Sequence, residues 1–164
     1  MKYIDKTMGL DVLDTLDLVP SIFLAGPSPR HNLSQGESDW RIEAMHELNK
    51  QNFNGFVIAP WPYVVDLKDG DLEPTVKWED NYLAKASVIL FWIPRDLKEL
   101  PGFTTNIEFG EYMKSGKVVL AYPETAPKMR YLSVKAKWYN IPEAHTLKDG
   151  VSLALEMLKD KGLL

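Results

Sequence analysis

Residues 87–94 read Ser-Val-Ile-Leu-Phe-Trp-Ile-Pro, and this stretch is the clearest strand in the sequence. Its apolar side chains occupy consecutive positions, so both faces of the strand are predicted to be buried. Strands of this kind belong to parallel sheets that helices cover on both sides. Three further short apolar runs also end at a proline, and they lie at residues 21–27, 55–60 and 117–123.

Helical patterns lie between these strands. In the first, Ser38 is predicted to be the N-cap, and Trp40, Ala44, Met45 and Leu48 follow at helical spacing. Further helices are predicted near residues 75–85, 105–114, 127–137 and 147–158, and a weak strand near residues 139–141.

This alternation predicts a doubly wound α/β fold, flavodoxin-like or Rossmann-like, with about five mostly parallel strands flanked by helices. We expect a single domain over residues 1–164, in which residues 1–20 form an N-terminal arm or an edge element. In such sheets ligands bind at the carboxyl ends of the strands, so functional residues are expected just after strands.

The composition of the chain argues against several classes of function. The chain has 19 Lys and Arg against 23 Asp and Glu, a formal charge of −4, which argues against a nucleic-acid partner. It has no cysteine, which excludes disulfides and thiolate chemistry. The apolar runs are far shorter than the roughly 20 residues of a membrane span, and the N-terminus lacks the apolar core of a signal peptide. A cytoplasmic protein without a membrane partner is expected.

Cofactor motifs are missing from the sequence. It contains neither the GxGxxG nor the GxxxxGK[ST] pattern, which argues against nicotinamide and nucleoside triphosphate binding. His31, His46 and His145 have no spacing that predicts a metal site. We therefore expect no cofactor.

Glu108 is the first candidate catalytic residue, and two interpretations of it stay open. Thr105-Asn106-Ile107-Glu108 fits a capping box, with Thr105 as the N-cap and Glu108 folded back onto it. Alternatively, Glu108 lies in the first helical turn, where the macrodipole lowers its pKa and keeps it ionised. An ionised carboxylate at a strand end suits attack on an electrophilic sugar carbon.

Glu79 is the second candidate. Helical spacing places it in line with Val76, Tyr82 and Leu83, on the face that should pack against the sheet. Either the helix start is frayed and Glu79 points outward, or Glu79 is buried near Glu108. In the second case, repulsion and desolvation raise the pKa of one carboxyl of the pair. One acid and one anion together cleave glycosidic bonds.

Other candidates follow strand ends. Arg30 and Arg95 each follow a proline and either meet an anion or pair with a nearby carboxylate. Exposed aromatic side chains in loops often contact a planar ligand or another subunit. Three such residues are present: Trp61, Tyr63 and Phe103. Trp40-Arg41 is interpreted as a core tryptophan followed by a surface cation.

Five motifs carry a family resemblance. They are Phe-Leu-Ala-Gly-Pro-Ser-Pro-Arg at 23–30, Trp-Arg at 40–41, Trp-Glu at 78–79, Phe-Trp-Ile-Pro-Arg at 91–95 and Gly-Phe-Thr-Thr-Asn-Ile-Glu-Phe-Gly at 102–110. In this order, over about residues 21–135, they resemble the nucleoside 2-deoxyribosyltransferase family, specifically its nucleoside 2-deoxyribosyltransferase-like branch. The block at 91–110 is the most specific.

The resemblance implies roles for both carboxylates. Glu108 matches the family's nucleophile, which attacks C1′ of a 2′-deoxynucleoside, so that the base leaves and a covalent 2-deoxyribosyl-enzyme forms. A second base or water then takes the sugar. By spacing, Glu79 matches the acidic residue that assists protonation of the leaving base.

The sequence also departs from the family pattern. Gly102 stands where a sugar-binding aspartate is expected, six residues before the nucleophile, and Thr104, Thr105 or Asn106 is expected to replace it. An asparagine that a neighbouring subunit supplies in the family has no identifiable counterpart. The other residues expected to bind substrate are Gly26, Pro27, Arg30 and Trp61.

Three functions remain open from the sequence. The first is transfer of 2-deoxyribose between bases, and the second is hydrolysis of deoxynucleosides or their 5′-monophosphates. The third is a non-catalytic nucleotide-binding module. The expected partners are a small deoxynucleoside or deoxynucleotide, a free nucleobase and further copies of the chain in a homo-oligomer, a dimer or larger.

Overall fold

The computed structural model of the protein describes residues 1–28, 39–60 and 72–164. Several predictions made above fall on residues outside these ranges. They concern the N-cap Ser38 and the candidate ligand contacts Arg30, His31, Trp61 and Tyr63.

The described residues form a sheet of six strands flanked by five α-helices. The strands are β1 Lys2–Ile4, β2 Ser21–Ala25, β3 Phe56–Ile58, β4 Val88–Trp92, β5 Val118–Ala121 and β6 Glu143–Ala144. The helices are α1 Trp40–Lys50, α2 Glu73–Lys85, α3 Phe103–Tyr112, α4 Arg130–Trp138 and α5 Leu147–Asp160. A 3-10 helix spans Leu13–Asp17.

The strand order is β1-β3-β2-β4-β5-β6, and every neighbouring pair is parallel. Phe23 in β2 is in register with Ile58 of β3 on one side and Ile89 of β4 on the other. Counted from β2, this is the doubly wound flavodoxin-like order 2-1-3-4-5, so the predicted fold class is confirmed. From β2, the next strand β3 is added on one side and the later strands β4 to β6 on the other, so the strand order reverses between β2 and β4. Ligands of such folds bind at this point of reversal.

The N-terminal and C-terminal strands differ from the sequence-based expectation. The sheet has six strands rather than about five, because β1 adds an edge strand beside β3. The N-terminal residues therefore include an edge element. The weak strand predicted near residues 139–141 lies slightly later, at Glu143–Ala144, where it pairs with β5.

The core has two layers, one on each face of the sheet. In β4, Ile89 and Phe91 point towards α2, α3 and α4, whereas Val88 and Leu90 point towards α1 and α5. The Phe91 ring meets the Phe109 ring of α3 edge-on, with centroids 5.5 Å apart. This double burial explains why the strand is apolar at consecutive positions.

Helix starts differ from the predicted ones because local backbone geometry decides them. The N-cap of α1 is Asp39, whose side chain accepts a hydrogen bond from the Arg41 backbone N–H. The N-cap of α3 is Gly102, whose φ of 63° turns the chain into the helix before Thr105. The predicted capping box of Thr105 and Glu108 is therefore wrong, and Glu108 lies in the second turn of α3.

None of the helices in the described ranges combines the length and the apolar character that crossing a bilayer requires.

Candidate active site

A cavity of about 240 Å³ lies at the carboxyl ends of β2 and β4, where the strand order reverses. Its wall combines the end of β2 and the turn after it, the start of α1, the chain just after β3, one residue of α2 and the first two turns of α3. Residues from these elements that line it include Gly26, Pro27, Arg41, Pro60, Glu79, Gly102, Phe103, Thr104 and Glu108. The cavity is thus at the place that the fold predicts for a ligand.

The turn after β2 forms one wall of the cavity and requires a glycine. A Cβ atom on Gly26 would lie 2.1 Å from the Trp92 carbonyl oxygen and 2.8 Å from Cζ2 of Trp40. The Trp40 indole Nε1 donates a hydrogen bond to the Pro27 carbonyl oxygen at 3.0 Å. The ends of β2 and β4 therefore approach closely, and Trp40 holds the turn in place.

Arg41 is buried, with only 1% of its surface exposed. Its Nε donates to the Leu24 carbonyl oxygen at 3.2 Å and its Nη2 to the Gly26 carbonyl oxygen at 2.8 Å. The interpretation of Arg41 as a surface cation is therefore wrong, whereas the core position of Trp40 is confirmed. A signal was present, because Arg41 shares a helical stripe with the buried Ala44 and Leu48.

Glu79 and Glu108 both line the cavity although 29 positions separate them along the chain. Both side chains are partly buried. Glu79 Oε1 lies 2.9 Å from Lys6 Nζ, in the segment that follows β1. Glu79 thus lies on the cavity side of α2, whereas Val76, which was placed in line with it, is 44% exposed.

The pKa of Glu108 is raised from 4.5 to about 7. Desolvation is the largest cause and the negative charge of Glu79 the second, while the positive charge of Arg41 opposes both. The prediction that burial near Glu79 raises the pKa of one carboxyl is confirmed. The prediction that the helix macrodipole lowers the pKa of Glu108 is wrong, because this effect fades beyond the first turn.

The remaining predicted residues divide into two groups. Gly26, Pro27 and Thr104 line the cavity, as does Phe103, whose side chain is 70% exposed. Thr105 is buried, and neither it nor Asn106 is among the residues on the cavity wall. Their contact with a substrate stays a prediction.

Arg95 has a structural environment. It is 7% exposed, and its Nη2 donates to Asn106 Oδ1 at 2.5 Å while its Nη1 donates to the Lys128 carbonyl oxygen at 3.3 Å. These contacts join the end of β4 to α3 and to the chain that precedes α4. Arg95 therefore holds neutral oxygen atoms, rather than the anion or carboxylate that the sequence suggested.

No group of three or more histidine, aspartate or glutamate side chains in the described parts of the chain is arranged to hold a metal ion. The described polar residues that line the cavity are two glutamates, one arginine, one serine and one threonine. Such a set can combine a nucleophilic carboxylate with a carboxylic acid.

Comparison with known proteins agrees with this geometry. A sequence model of the family described as "Nucleoside 2-deoxyribosyltransferase like" matches residues 19–126. The match runs from just before β2 to just after β5 and includes every residue that lines the cavity. A search of curated proteins found no match. Because the family match spans well over half of the chain and agrees with the motifs, the chain belongs to the nucleoside 2-deoxyribosyltransferase-like family.

Proposed function

We propose that the protein transfers 2-deoxyribose between nucleobases through a covalent intermediate on Glu108. The observation that carries the proposal is the shared cavity of Glu108 and Glu79 at the reversal of strand order. Enzymes that cleave glycosidic bonds with retained configuration use two carboxyl groups, one as nucleophile and one as acid. Family membership supports a deoxynucleoside as the substrate.

The first half-reaction moves charge from one carboxyl group to the other. An oxygen of the ionised Glu108 carboxylate forms a bond to C1′ as the C1′–N bond breaks, and the electrons of that bond go to the base. The two carboxyl groups hold one proton between them; it is on Glu79 when Glu108 attacks, and Glu79 gives it to the base. Glu108 is then a neutral ester, and Glu79 carries the negative charge.

The second half-reaction reverses these steps with a new base. A nitrogen of the incoming base attacks C1′, the ester bond to Glu108 breaks, and Glu79 accepts the proton that this nitrogen loses. Two displacements at C1′ retain its configuration. A cavity of about 240 Å³ suits a reaction between small molecules.

The test is base exchange, with the formation of a covalent adduct as a second measurement. The protein is incubated with a deoxynucleoside and a different free base, and the new nucleoside is measured by chromatography. Brief exposure to the deoxynucleoside alone, followed by peptide mass spectrometry, is expected to show a deoxyribosyl group on Glu108.

A matched control is available on the same helix. Glu108→Gln is expected to abolish both exchange and adduct, whereas Glu111→Gln, at an exposed position of α3, is expected to retain both. Undiminished exchange by Glu108→Gln would overturn the assignment of the nucleophile.

Hydrolysis of a deoxynucleoside 5′-monophosphate is the second candidate. The start of α3 lines the cavity with no side-chain cap and no acidic residue in its first turn. The positive end of a helix dipole favours an anionic group on a substrate, such as a 5′-phosphate. Release of free sugar, measured with and without a 5′-phosphate on the substrate, separates hydrolysis from transfer.

The homo-oligomer expected from the sequence stays a prediction. Large apolar side chains are exposed on two helices, among them Phe103 and Ile107 of α3 and Trp138 of α4. Analytical ultracentrifugation of the full chain measures the subunit number directly.

A further inference from the structure

Arg41 is held at the carboxyl end of β2 by contacts that leave its guanidinium little freedom. Two of its nitrogen atoms donate to the carbonyl oxygens of Leu24 and Gly26. The guanidinium carbon lies 4.3 Å from the centre of the Trp40 ring, and Nη1 lies 3.8 Å from the Asp39 carboxylate. Planar donors of this kind fix backbone carbonyls more rigidly than a lysine does.

These contacts also fix the shape of the cavity. Gly26 and Pro27 line it, and their carbonyl oxygens accept hydrogen bonds from Arg41 and Trp40 respectively. Both donors lie in the first turn of α1, so a single helical turn holds the loop between β2 and the cavity. Arg41 itself also lines the cavity.

Glu108 faces charged groups from three other elements. Glu79 and Asp80 of α2 and the desolvation of the site raise its pKa, whereas Arg41 of α1 and Lys6 after β1 lower it. On the same helix, burial raises the pKa of Tyr112, and the charges of Glu111, Asp80 and Glu108 raise it further. Of the two cations that act on Glu108, Arg41 has the larger effect. Lys6 pairs directly with Glu79 instead.

We propose that Arg41 is a positioning residue for the reaction: it holds the turn after β2 and places a fixed positive charge on the wall of the cavity that Glu108 also lines. This inference rests on the proposed function only for its effect on rate. Its effect on the ionisation of Glu108 is independent of any substrate.

The proposal explains how a nucleophile can operate beside another acid in a desolvated site. Burial and the Glu79 charge both favour the protonated form of Glu108, which cannot attack C1′. A fixed cation on the cavity wall opposes them. The attack then requires only that Glu108 be ionised and Glu79 protonated, so one proton on the pair is enough.

The direct test is a pH titration of the Glu108 side-chain carboxyl carbon by NMR, with the signal assigned by its loss in Glu108→Gln. In the unmodified protein the midpoint is expected at about pH 7. In Arg41→Gln it is expected to rise by about 1 pH unit, because an opposite charge nearby typically shifts a pKa by about 1–3. In Arg130→Gln, which alters an exposed arginine of α4, the midpoint is expected to stay in place.

A second variant separates the effect of the charge from that of a disturbed fold. Arg41→Lys keeps the positive charge but loses the planar guanidinium, so the titration midpoint of Glu108 is expected to stay within about 0.5 pH unit of that in the unmodified protein. If Arg41→Lys moves the midpoint by a full unit, or if Arg41→Gln moves it no more than Arg130→Gln does, the charge of Arg41 is not the cause and the proposal is wrong.

The rate of adduct formation gives a second readout. In Arg41→Gln the rate is expected to fall about tenfold at pH 6, because the ionised form of Glu108 that attacks C1′ is about tenfold scarcer, whereas Arg41→Lys is expected to keep most of the rate. A loss in Arg41→Lys as large as that in Arg41→Gln would indicate damage to the cavity alone and would overturn the electrostatic role.

The two proposals fail in different ways. If the unmodified protein forms no adduct and exchanges no base, the proposed function is wrong, whereas the NMR titrations still test the effect of Arg41 on Glu108. If base exchange occurs but the titration midpoint of Glu108 is the same in Arg41→Gln as in the unmodified protein, only the inference about Arg41 is wrong.

Discussion

Glu108→Gln is expected to make the protein more stable at alkaline pH although it removes the proposed nucleophile. The pKa of Glu108 is about 7 in the folded protein against an ordinary value of 4.5. Between these two values the folded chain binds a proton that the unfolded chain has released, so the free energy of unfolding falls as pH rises. Below pH 4.5 the group is protonated in both states, and this loss is absent.

The size of the effect follows from the difference between the two values. A difference of about 2.5 in pKa corresponds to about 3 kcal/mol, and partial solvent exposure of the side chain reduces the expectation to about 1–3 kcal/mol. Replacing the carboxyl by a neutral amide of similar shape removes the pH-dependent loss. The free energy of unfolding of Glu108→Gln, relative to that of the unmodified protein, should therefore be higher at pH 8 than at pH 4 by about 1–3 kcal/mol.

Urea denaturation at pH 4, 6 and 8 measures this gain in the free energy of unfolding. In thermal denaturation, the melting temperature should rise by about 2–4 °C for each kcal/mol. Glu111→Gln is the control, because it removes a carboxylate from an exposed position of the same helix. If the free energies of unfolding of the two variants depend on pH in the same way, the ionised form of Glu108 is not destabilised in the folded protein. The reasoning from burial and from the charge of Glu79 then fails.

Three further predictions follow from the contacts. Glu79→Gln should lower the midpoint of Glu108 below pH 7, since the Glu79 charge raises the pKa, and an unchanged NMR titration would contradict this. Gly26→Ala should cost more than about 3 kcal/mol of stability in urea denaturation, because the new Cβ would lie 2.1 Å from the Trp92 carbonyl oxygen; a loss below about 0.5 kcal/mol would show that the turn adapts. Lys117→Met should cost about 1–3 kcal/mol, because Lys117 Nζ donates to three backbone carbonyl oxygens at the end of α2 at 2.7–3.1 Å; equal urea midpoints for the variant and the unmodified protein would exclude this role.

Local sequence patterns predicted most of the fold. The apolar run of β4 indicated a strand buried on both faces, and the structure packs its alternate side chains against the two helical layers. The predicted helices were located within a few residues of α1 to α5. The errors lie at the ends, as with α3, because the left-handed turn at Gly102 depends on backbone geometry rather than on the Thr105 capping pattern.

The candidate site was predicted only in part. The motifs singled out Glu108, Glu79 and the Gly26-Pro27 turn, and the structure brings all four residues to one cavity. The role of Arg41 was missed because an arginine beside an N-cap is normally solvated. Its place on the helical stripe of Ala44 and Leu48 indicates burial, but no local pattern reveals the carbonyl oxygens at the end of β2 to which its guanidinium donates.

The parallel α/β class, the family motifs and the two candidate carboxylates could be predicted from the sequence, because they depend on side-chain type and on spacing within single elements. The edge position of β1, the burial of Arg41 and the raised pKa of Glu108 became evident only in the folded chain. Each of these arises from groups far apart in the chain: the pairing of β1 with β3, the meeting of α1 with the end of β2, and the approach of α2 to α3. Electrostatic energies depend on distance and burial, and both are properties of the folded arrangement.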